Sequence, residues 1–464
     1  MKKDILDADF ESFSFSDEIL AAIKNMGFEN PTEIQIKTIP AVLEGNDVLA
    51  RADTGSGKTA AFVLPLLDNL SNQNVYAQKG RSKRFDASTR VASNCVQIVV
   101  LVPTRELAIQ VAEVFSTVAE NIQPAIKCLS VYGGVKINPQ MQALRGGVDV
   151  LVATPGRLLD LVDQNAIKFN QVKALVIDEV DRLMKGDFQE EIERLSKLLP
   201  NKRQNLMFTA TFPESITTLV RDVLNTPEII NMDGFIDELE IEQRAITVNH
   251  HQKNDLLAHL CRENDWQQIL VFCSAKRTCD NLVKKLEKRG IEAVAMHSNK
   301  EQSVRSAALK NFKAGAIRIL VATDVAARGI DIDQLPCVIN YDLPRSPNDY
   351  VHRVGRTGRA GEKGLVISLI SHHEFQHFLV IERRNGLNIA REEIDGFMLD
   401  SVAPPLPRKS PKIKKTKLTK KQKIQSKREQ EPVQDSGDNS HQDHSETEPV
   451  ESTVNAHIWG NLKK

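Results

Sequence analysis

Three small groups of residues in this chain have the types and spacing that phosphate chemistry needs. The first is Ala52-Asp-Thr54-Gly55-Ser56-Gly57-Lys58-Thr59, between the apolar run 48–50 and the helix-like stretch 60–64. Glycines let backbone N–H groups turn towards phosphates, a lysine reaches the outer phosphates, and a hydroxyl holds Mg²⁺. Ala52 stands where the general pattern has its first glycine, so the loop is a variant. The second group is Asp178-Glu179, two carboxylates closing the apolar run 174–177. Asp178 is placed to bind Mg²⁺ through water, and Glu179 to orient or deprotonate an attacking water. The third is His352-Arg-Val-Gly-Arg356-Thr-Gly-Arg359, whose last two arginines suit fingers that neutralise charge on a γ-phosphate. Each group alone has a bland reading: a chance Gly-Lys-Thr, an acidic turn, a surface arginine cluster. Together they point to Mg-ATP held by one domain and completed by another, since the second half has no Gly-Lys-Thr of its own.

Such residues need a scaffold that presents them side by side. The runs 97–102, 148–153, 174–177, 269–272, 317–322 and 337–340 are short, β-rich and apolar throughout. They alternate with amphipathic stretches of helical length, which predicts βαβ units and parallel sheets covered on both faces. Ligand chemistry on such sheets sits at the carboxyl ends of the strands. The expected fold class is α/β, with two tandem domains of mainly parallel sheet covered by helices. Residues 1–232 form the first and 243–395 the second, with an acidic linker at 233–242. A polar insertion at 71–94 carries Lys79, Arg81, Lys83, Arg84 and Arg90 and reads as a solvated loop rather than an RNA contact.

The tail, 396–464, changes character: it is dense in lysine across 408–428 and carries only acidic charge across 429–451. Segments of low hydrophobicity and blocked charge do not repay the entropy of folding, so disorder is expected there. Two readings of the tail stay open. The basic block is an RNA tether, or the acidic block pairs with it and mutes that binding.

Composition narrows the class further. The chain has 464 residues, enough for two or three domains, and its formal net charge is zero, so no global basic field advertises nucleic acid. The cysteines at 95, 128, 261, 273, 279 and 337 show no Cys-x-x-Cys spacing and read as buried free thiols in a reducing compartment. The first residues turn acidic at once, with no apolar signal core, and no apolar run approaches the ~20 residues that span a bilayer. A cytoplasmic protein without membrane attachment is expected.

In family order, these motifs resemble those of DEAD-box RNA helicases, and the resemblance covers about residues 10–385. Phe10 and Gly27-Phe28-Glu-Asn-Pro-Thr-Glu-Ile-Gln35 are similar to the family's adenine-reading segment, here 8–36. Pro103-Thr104-Arg105-Glu-Leu-Ala, Gly133-Gly134 and Thr154-Pro-Gly-Arg157 resemble its RNA-backbone segments. Thr209-Ala-Thr211 resembles its coupling motif, which the resemblance links with Asp181 and His352. Gln302-x-x-Arg305 and the run from Thr323 to Asp331 resemble motifs of the second domain, implying RNA contacts at Arg305 and Thr323 and an ATP-ribose contact at Asp331. The stretch 131–150 is similar to the bacterial RhlE-type branch, which implies a bacterial cytoplasm and a role near ribosomal or RNA-degradation complexes.

Three departures stand out. The signature quartet reads Asp178-Glu179-Val180-Asp181, with valine in the alanine position; the carboxylates remain, and what the β-branch puts in question is packing. Thr209 replaces a serine and keeps the hydroxyl, and Ser298-Asn299 replaces a more usual glycine and acid or asparagine. With two Trp and four Tyr in the whole chain, base stacking is not expected to dominate RNA binding. Amides and hydroxyls suit phosphate and sugar contacts, which position a strand without reading it. The expected activity is ATP-dependent, sequence-tolerant gripping of RNA by a monomer, with local separation of short duplexes. The rivals are an RNA clamp with slow hydrolysis and a DNA helicase on the same motor.

Overall fold

The computed structural model describes residues 9–52, 55–79, 94–184, 188–211, 214–232, 241–327, 335–358 and 364–400. Thr54, Asp331, Arg359 and the tail beyond residue 400 lie outside them. Among the described residues no helix is long and apolar enough to cross a membrane.

The first sheet contains β1 (Val48–Arg51), β2 (Val96–Leu101), β3 (Cys128–Val131), β4 (Val148–Ala153), β5 (Ala174–Ile177), β6 (Gln204–Thr209) and β7 (Glu228–Asn231). They lie in the order β3-β4-β2-β5-β6-β1-β7 and pair in parallel throughout. The second sheet contains β8 (Ile241–Thr247), β9 (Ile269–Cys273), β10 (Ala293–Met296), β11 (Ile319–Thr323), β12 (Cys337–Asn340), β13 (Gly364–Ile370) and β14 (Arg391–Glu392). Their order, β10-β11-β9-β12-β13-β8-β14, repeats the first sheet strand for strand, again all parallel. The expected α/β class, with two tandem parallel sheets covered by helices, is what forms.

The sequence explains the central strands. Every residue of β2, β5, β9, β11 and β12 is buried, because helices cover both faces and each strand must be apolar on both sides. Two apolar clusters flank each sheet; on one face of the first, Phe62, Phe115 and Phe208 pack together and are fully buried. Burying one such ring is worth about 1.5–3 kcal/mol.

Three boundaries differ from the sequence reading. Strand β8 starts at Ile241, inside the expected linker, because parallel pairing with β13 begins there, Ile241 opposite Gly364. The helix Lys58–Lys79 runs nine residues into the expected loop, since no glycine or proline follows Pro65 until Gly80; the remainder, 80–93, lies outside the described residues. Past residue 395, Phe397 stacks near His259 and Met398 O accepts from Asn249 Nδ2, so the packed chain reaches at least Asp400.

Candidate active site and nucleic-acid interface

The phosphate loop leaves the end of β1 and runs into the helix Lys58–Lys79, which aims the helix N-terminus at the loop. Lys58 is buried, and its Nζ donates to Ala52 O at 2.5 Å. The segment expected to read adenine reaches this loop through Gln35. Gln35 Nε2 donates to Gly57 O at 3.1 Å, and Gln35 Oε1 accepts from Thr32 N at 2.9 Å. Gly57 has φ +96°, and a Cβ there would meet Gln35 Nε2 at 2.6 Å, so only glycine allows the approach. Phe10 is buried and stacks with Phe28, ring centroids 6.5 Å apart at 24°. Thr59 and Ser56 are partly exposed at the loop.

Two strands away, β5 delivers Asp178 and Glu179, both buried. Burial pushes the Asp178 carboxyl up to about 6 despite the nearby Lys58 ammonium, and the Glu179 charge adds to the rise. An under-compensated buried carboxylate is a hard oxygen ligand, and it fits a divalent cation such as Mg²⁺. Glu179 is held at φ 53°, ψ 47° as it caps the short helix Val180–Leu183. Such left-handed backbone is uncommon outside glycine and costs of order 1–3 kcal/mol. Val180 is fully buried in the apolar cluster that also holds Ile177, Leu183 and Ile216, so the β-branch has a place in the core.

Asp181 gathers the coupling residues. Thr209 Oγ1 donates to its Oδ1 at 3.1 Å and Thr211 Oγ1 to its Oδ2 at 3.0 Å. His352 Nε2, from the second sheet's half, lies 3.5 Å from Oδ2, too far for a strong hydrogen bond. Burial works to raise the Asp181 carboxyl, but His352, Arg182 and the Thr211 hydroxyl hold it well below the usual range. His352 is itself lowered, by burial first and then by Arg182, which outweigh Asp181. Burial and Arg182 thus favour the neutral form of the His352 imidazole, while its surroundings favour the ionised form of Asp181.

His352 sits on the helix Pro347–Val354, whose start is set by Pro347 and by Ser346 Oγ accepting from Asp349 N. Arg356 follows and is buried. The adjoining Arg353 is almost fully buried and anchors this helix. It bonds both oxygens of Asp324 at 2.6 and 2.8 Å, Asn340 Oδ1 at 2.8 Å and Asp342 O at 2.7 Å, and stacks 4.7 Å over Phe272. Asp324 directly follows Thr323 at the end of β11, so one guanidinium ties that segment to the arginine-bearing helix.

The expected RNA residues of the first half do gather on one surface. Arg105, Gly133, Thr154 and Arg157 line a groove of about 580 Å³ that continues past Asp160 to Phe188. Gly134, at φ +78°, leaves room for the Arg105 guanidinium, which a Cβ would strike. Pro103 and Thr104 follow β2; the Thr104 hydroxyl caps the helix Arg105–Ala119 by accepting from Leu107 N. Arg157 is buried, with Nη2 on Val135 O at 2.9 Å, so it also braces the glycine loop. Arg305 departs from its expected place on RNA. It is buried with Nη2 2.7 Å from Glu106 Oε2, because a desolvated guanidinium takes the carboxylate within reach. Gln302 Nε2 donates to the other oxygen of Glu106 at 3.1 Å.

Glu106, Arg182, Asp324 and Arg353 did not stand out in the sequence. The one legible signal was spacing: Glu179 and Arg182 are three apart on a turn, where side chains meet.

Fold and site together define a two-domain phosphate-loop ATPase, with the loop on one sheet and arginines on the other. Residues 32–219 match the model of the DEAD/DEAH box helicase family, and residues 252–361 match the helicase conserved C-terminal domain. The chain is 38% identical over 374 residues to the ATP-dependent RNA helicase CshA of Listeria monocytogenes, covering 80% of this chain and 68% of that protein. It is 37% identical over 383 residues to the DEAD-box ATP-dependent RNA helicase CshA of Geobacillus kaustophilus, covering 82% and 78%. Among solved structures it resembles Saccharomyces cerevisiae Dbp5 bound to RNA and ADP BeF3, with TM-score 0.71, 26% identity and coverage of 83% and 96%. The chain belongs to the DEAD-box ATP-dependent RNA helicases.

Proposed function

We propose that this chain closes its two halves around Mg-ATP and the RNA backbone, and separates short duplexes locally as it does so. In this reading Lys58 and the amides of the loop from Thr54 to Thr59 hold the phosphates, while Phe10, Phe28 and Gln35 recognise the base and Asp331 the ribose. Asp178 and Thr59 hold Mg²⁺, partly through water, and the ion supplies charge neutralisation at the phosphates. Glu179 orients the attacking water, and Arg356 and Arg359 stabilise charge from the second half. Pro103, Thr104, Arg105, Gly133, Gly134, Thr154, Arg157 and Thr323 take the RNA backbone, whereas Arg305 serves closure. Asp181, Thr209, Thr211 and His352 couple the halves.

The observation that carries the reading is the meeting of His352 with Asp181, since it puts the arginine-bearing helix beside the β5 carboxylates. RNA spanning both halves supplies binding energy for that meeting, so turnover depends on RNA. The run 131–150 supports placement in the RhlE-type branch, with which go the expectations of a bacterial cytoplasm and of work near ribosomal or RNA-degradation complexes, and the bacterial relatives support a bacterial source.

The test is steady-state ATPase of the wild type and Glu179→Gln, with and without single-stranded RNA or matched DNA. Strong stimulation by RNA alone, lost in the variant, supports the reading. Tight ATP-dependent RNA binding with little turnover would replace it with a clamp, and equal stimulation by DNA with a DNA motor.

A further inference from the structure

One charged side chain beside the reacting carboxylates has no part in the reading above. Arg182 lies one turn after Glu179, with Nη1 2.6 Å from Glu179 Oε2, and both side chains are more than nine-tenths buried. The turn is closed by Arg182 N and Leu183 N, both donating to Glu179 O, at 2.9 and 3.2 Å. On the other side Glu179 N donates to Asp178 Oδ1 at 2.8 Å. Glu179 Oε1 takes no hydrogen bond from the described residues and is not fully buried, so it keeps a small accessible surface through which a water could reach it.

The guanidinium is a poor device for stability. Its Nε and Nη2 are buried and have no hydrogen-bond partner among the described residues. Desolvating a guanidinium and leaving two of its N–H groups unpaired is unfavourable, and apolar side chains in place of both members of the pair would avoid that cost. Against this stands one strong, charge-assisted bond that fixes the direction of a single carboxylate. The backbone of Glu179 is held in the left-handed region at φ 53°, which limits where the side chain leaves the chain, and Arg182 then removes its remaining rotamer freedom.

We propose that Arg182 is a positioning residue for Glu179, clamping Oε2 so that Oε1 faces the cleft in one orientation. The proposal rests on the reading of Glu179 as the group that orients water. A water held by a free glutamate would share several rotamers, and a displacement of about 1 Å at the reacting group can cost on the order of 10²-fold in rate. Lysine at this position would supply a point charge without the planar fork and would hold the carboxylate less well.

The experiment compares wild type, Arg182→Met, Arg182→Lys, Glu179→Gln and the double variant Arg182→Met/Glu179→Gln in RNA-stimulated ATPase assays, with thermal melts of each. Arg182→Met should lower kcat at least tenfold, while KM for ATP and half-saturation by RNA stay within twofold. Arg182→Lys should recover part of that loss. In the Glu179→Gln background the methionine substitution should cost nothing further, because the group it acts through is gone. The double variant should melt no lower than Glu179→Gln alone, which a merely structural arginine would not allow, whereas Arg182→Met by itself leaves the buried Glu179 carboxylate unpaired and should melt lower. Wild-type kcat in Arg182→Met, losses that multiply in the double variant, or a raised KM with unchanged kcat would each overturn the proposal. Should the methionine variant not fold, Arg182→Gln carries the same kcat and double-variant comparisons. If Glu179→Gln alone keeps turnover, the water-orienting reading itself falls; if it loses turnover and Arg182→Met does not, only the positioning role falls.

Discussion

Arg305 and Glu106 join the two halves of the molecule through a buried ion pair, Nη2 to Oε2 at 2.7 Å, with 4% and 5% of the side chains exposed. The arginine comes from the helix Gln302–Lys313 and the glutamate from the helix Arg105–Ala119, beside the surface that carries Arg105. This contact between the halves therefore adjoins the groove lined by Arg105, Gly133, Thr154 and Arg157.

Breaking such a buried pair from one side costs about 3–5 kcal/mol, because the remaining charge is left uncompensated. Arg305→Met should therefore weaken RNA binding in the presence of a non-hydrolysable ATP analogue by about 10²- to 10³-fold or more, since each 1.4 kcal/mol is tenfold. Binding without nucleotide should hardly change. Fluorescence anisotropy on labelled RNA, with and without the analogue, checks both halves of this expectation.

Gly57→Ala tests the seating of the adenine segment on the phosphate loop. At φ +96° a side chain is strained, and its Cβ would meet Gln35 Nε2 at 2.6 Å and Thr32 Oγ1 at 2.8 Å. The segment must lift, so KM for ATP should rise at least tenfold and stability should fall by about 1–3 kcal/mol. Nucleotide titration and a denaturant melt measure the two effects.

Asp178 makes a prediction about pH. Burial raises its folded-state value from 3.8 to about 6, so the group favours folding in its protonated form. That contribution is complete below 3.8 and is lost as pH rises through about 6. Asp178→Asn, permanently neutral, should therefore melt higher than the wild type at pH 7.5 without nucleotide or Mg²⁺. The advantage should vanish near pH 4, and the variant should be inactive as an ATPase. An equal melting midpoint at pH 7.5 would show that the carboxylate is already compensated.

Arg353 is expected to be needed for folding rather than for turnover alone. It carries both oxygens of Asp324, Asn340 Oδ1 and Asp342 O from inside the core. Arg353→Met should destabilise the second half by about 3–5 kcal/mol, and Arg353→Lys should not restore it, since an ammonium cannot satisfy that planar set of acceptors. Denaturant melts of the two variants decide the matter.

Much of this protein was written in local patterns. The strands 148–153, 174–177 and 337–340 are found where their apolar runs lie, because a strand covered on both faces is mostly apolar, with only Asp149 and Asn340 as exceptions. The phosphate loop and the β5 carboxylates were equally legible, since their chemistry depends on neighbours along the chain. The half-exposed edge strand β3 carried no such signal, and the Gln302–Lys313 helix gave no hint that its arginine turns to Glu106. Partners such as Arg305 and Glu106, His352 and Asp181, or Arg353 and Asp324 are brought together only by the packed sheets. A charge in a sequence has no fixed partner until burial removes water as the competitor, and that choice belongs to the tertiary structure.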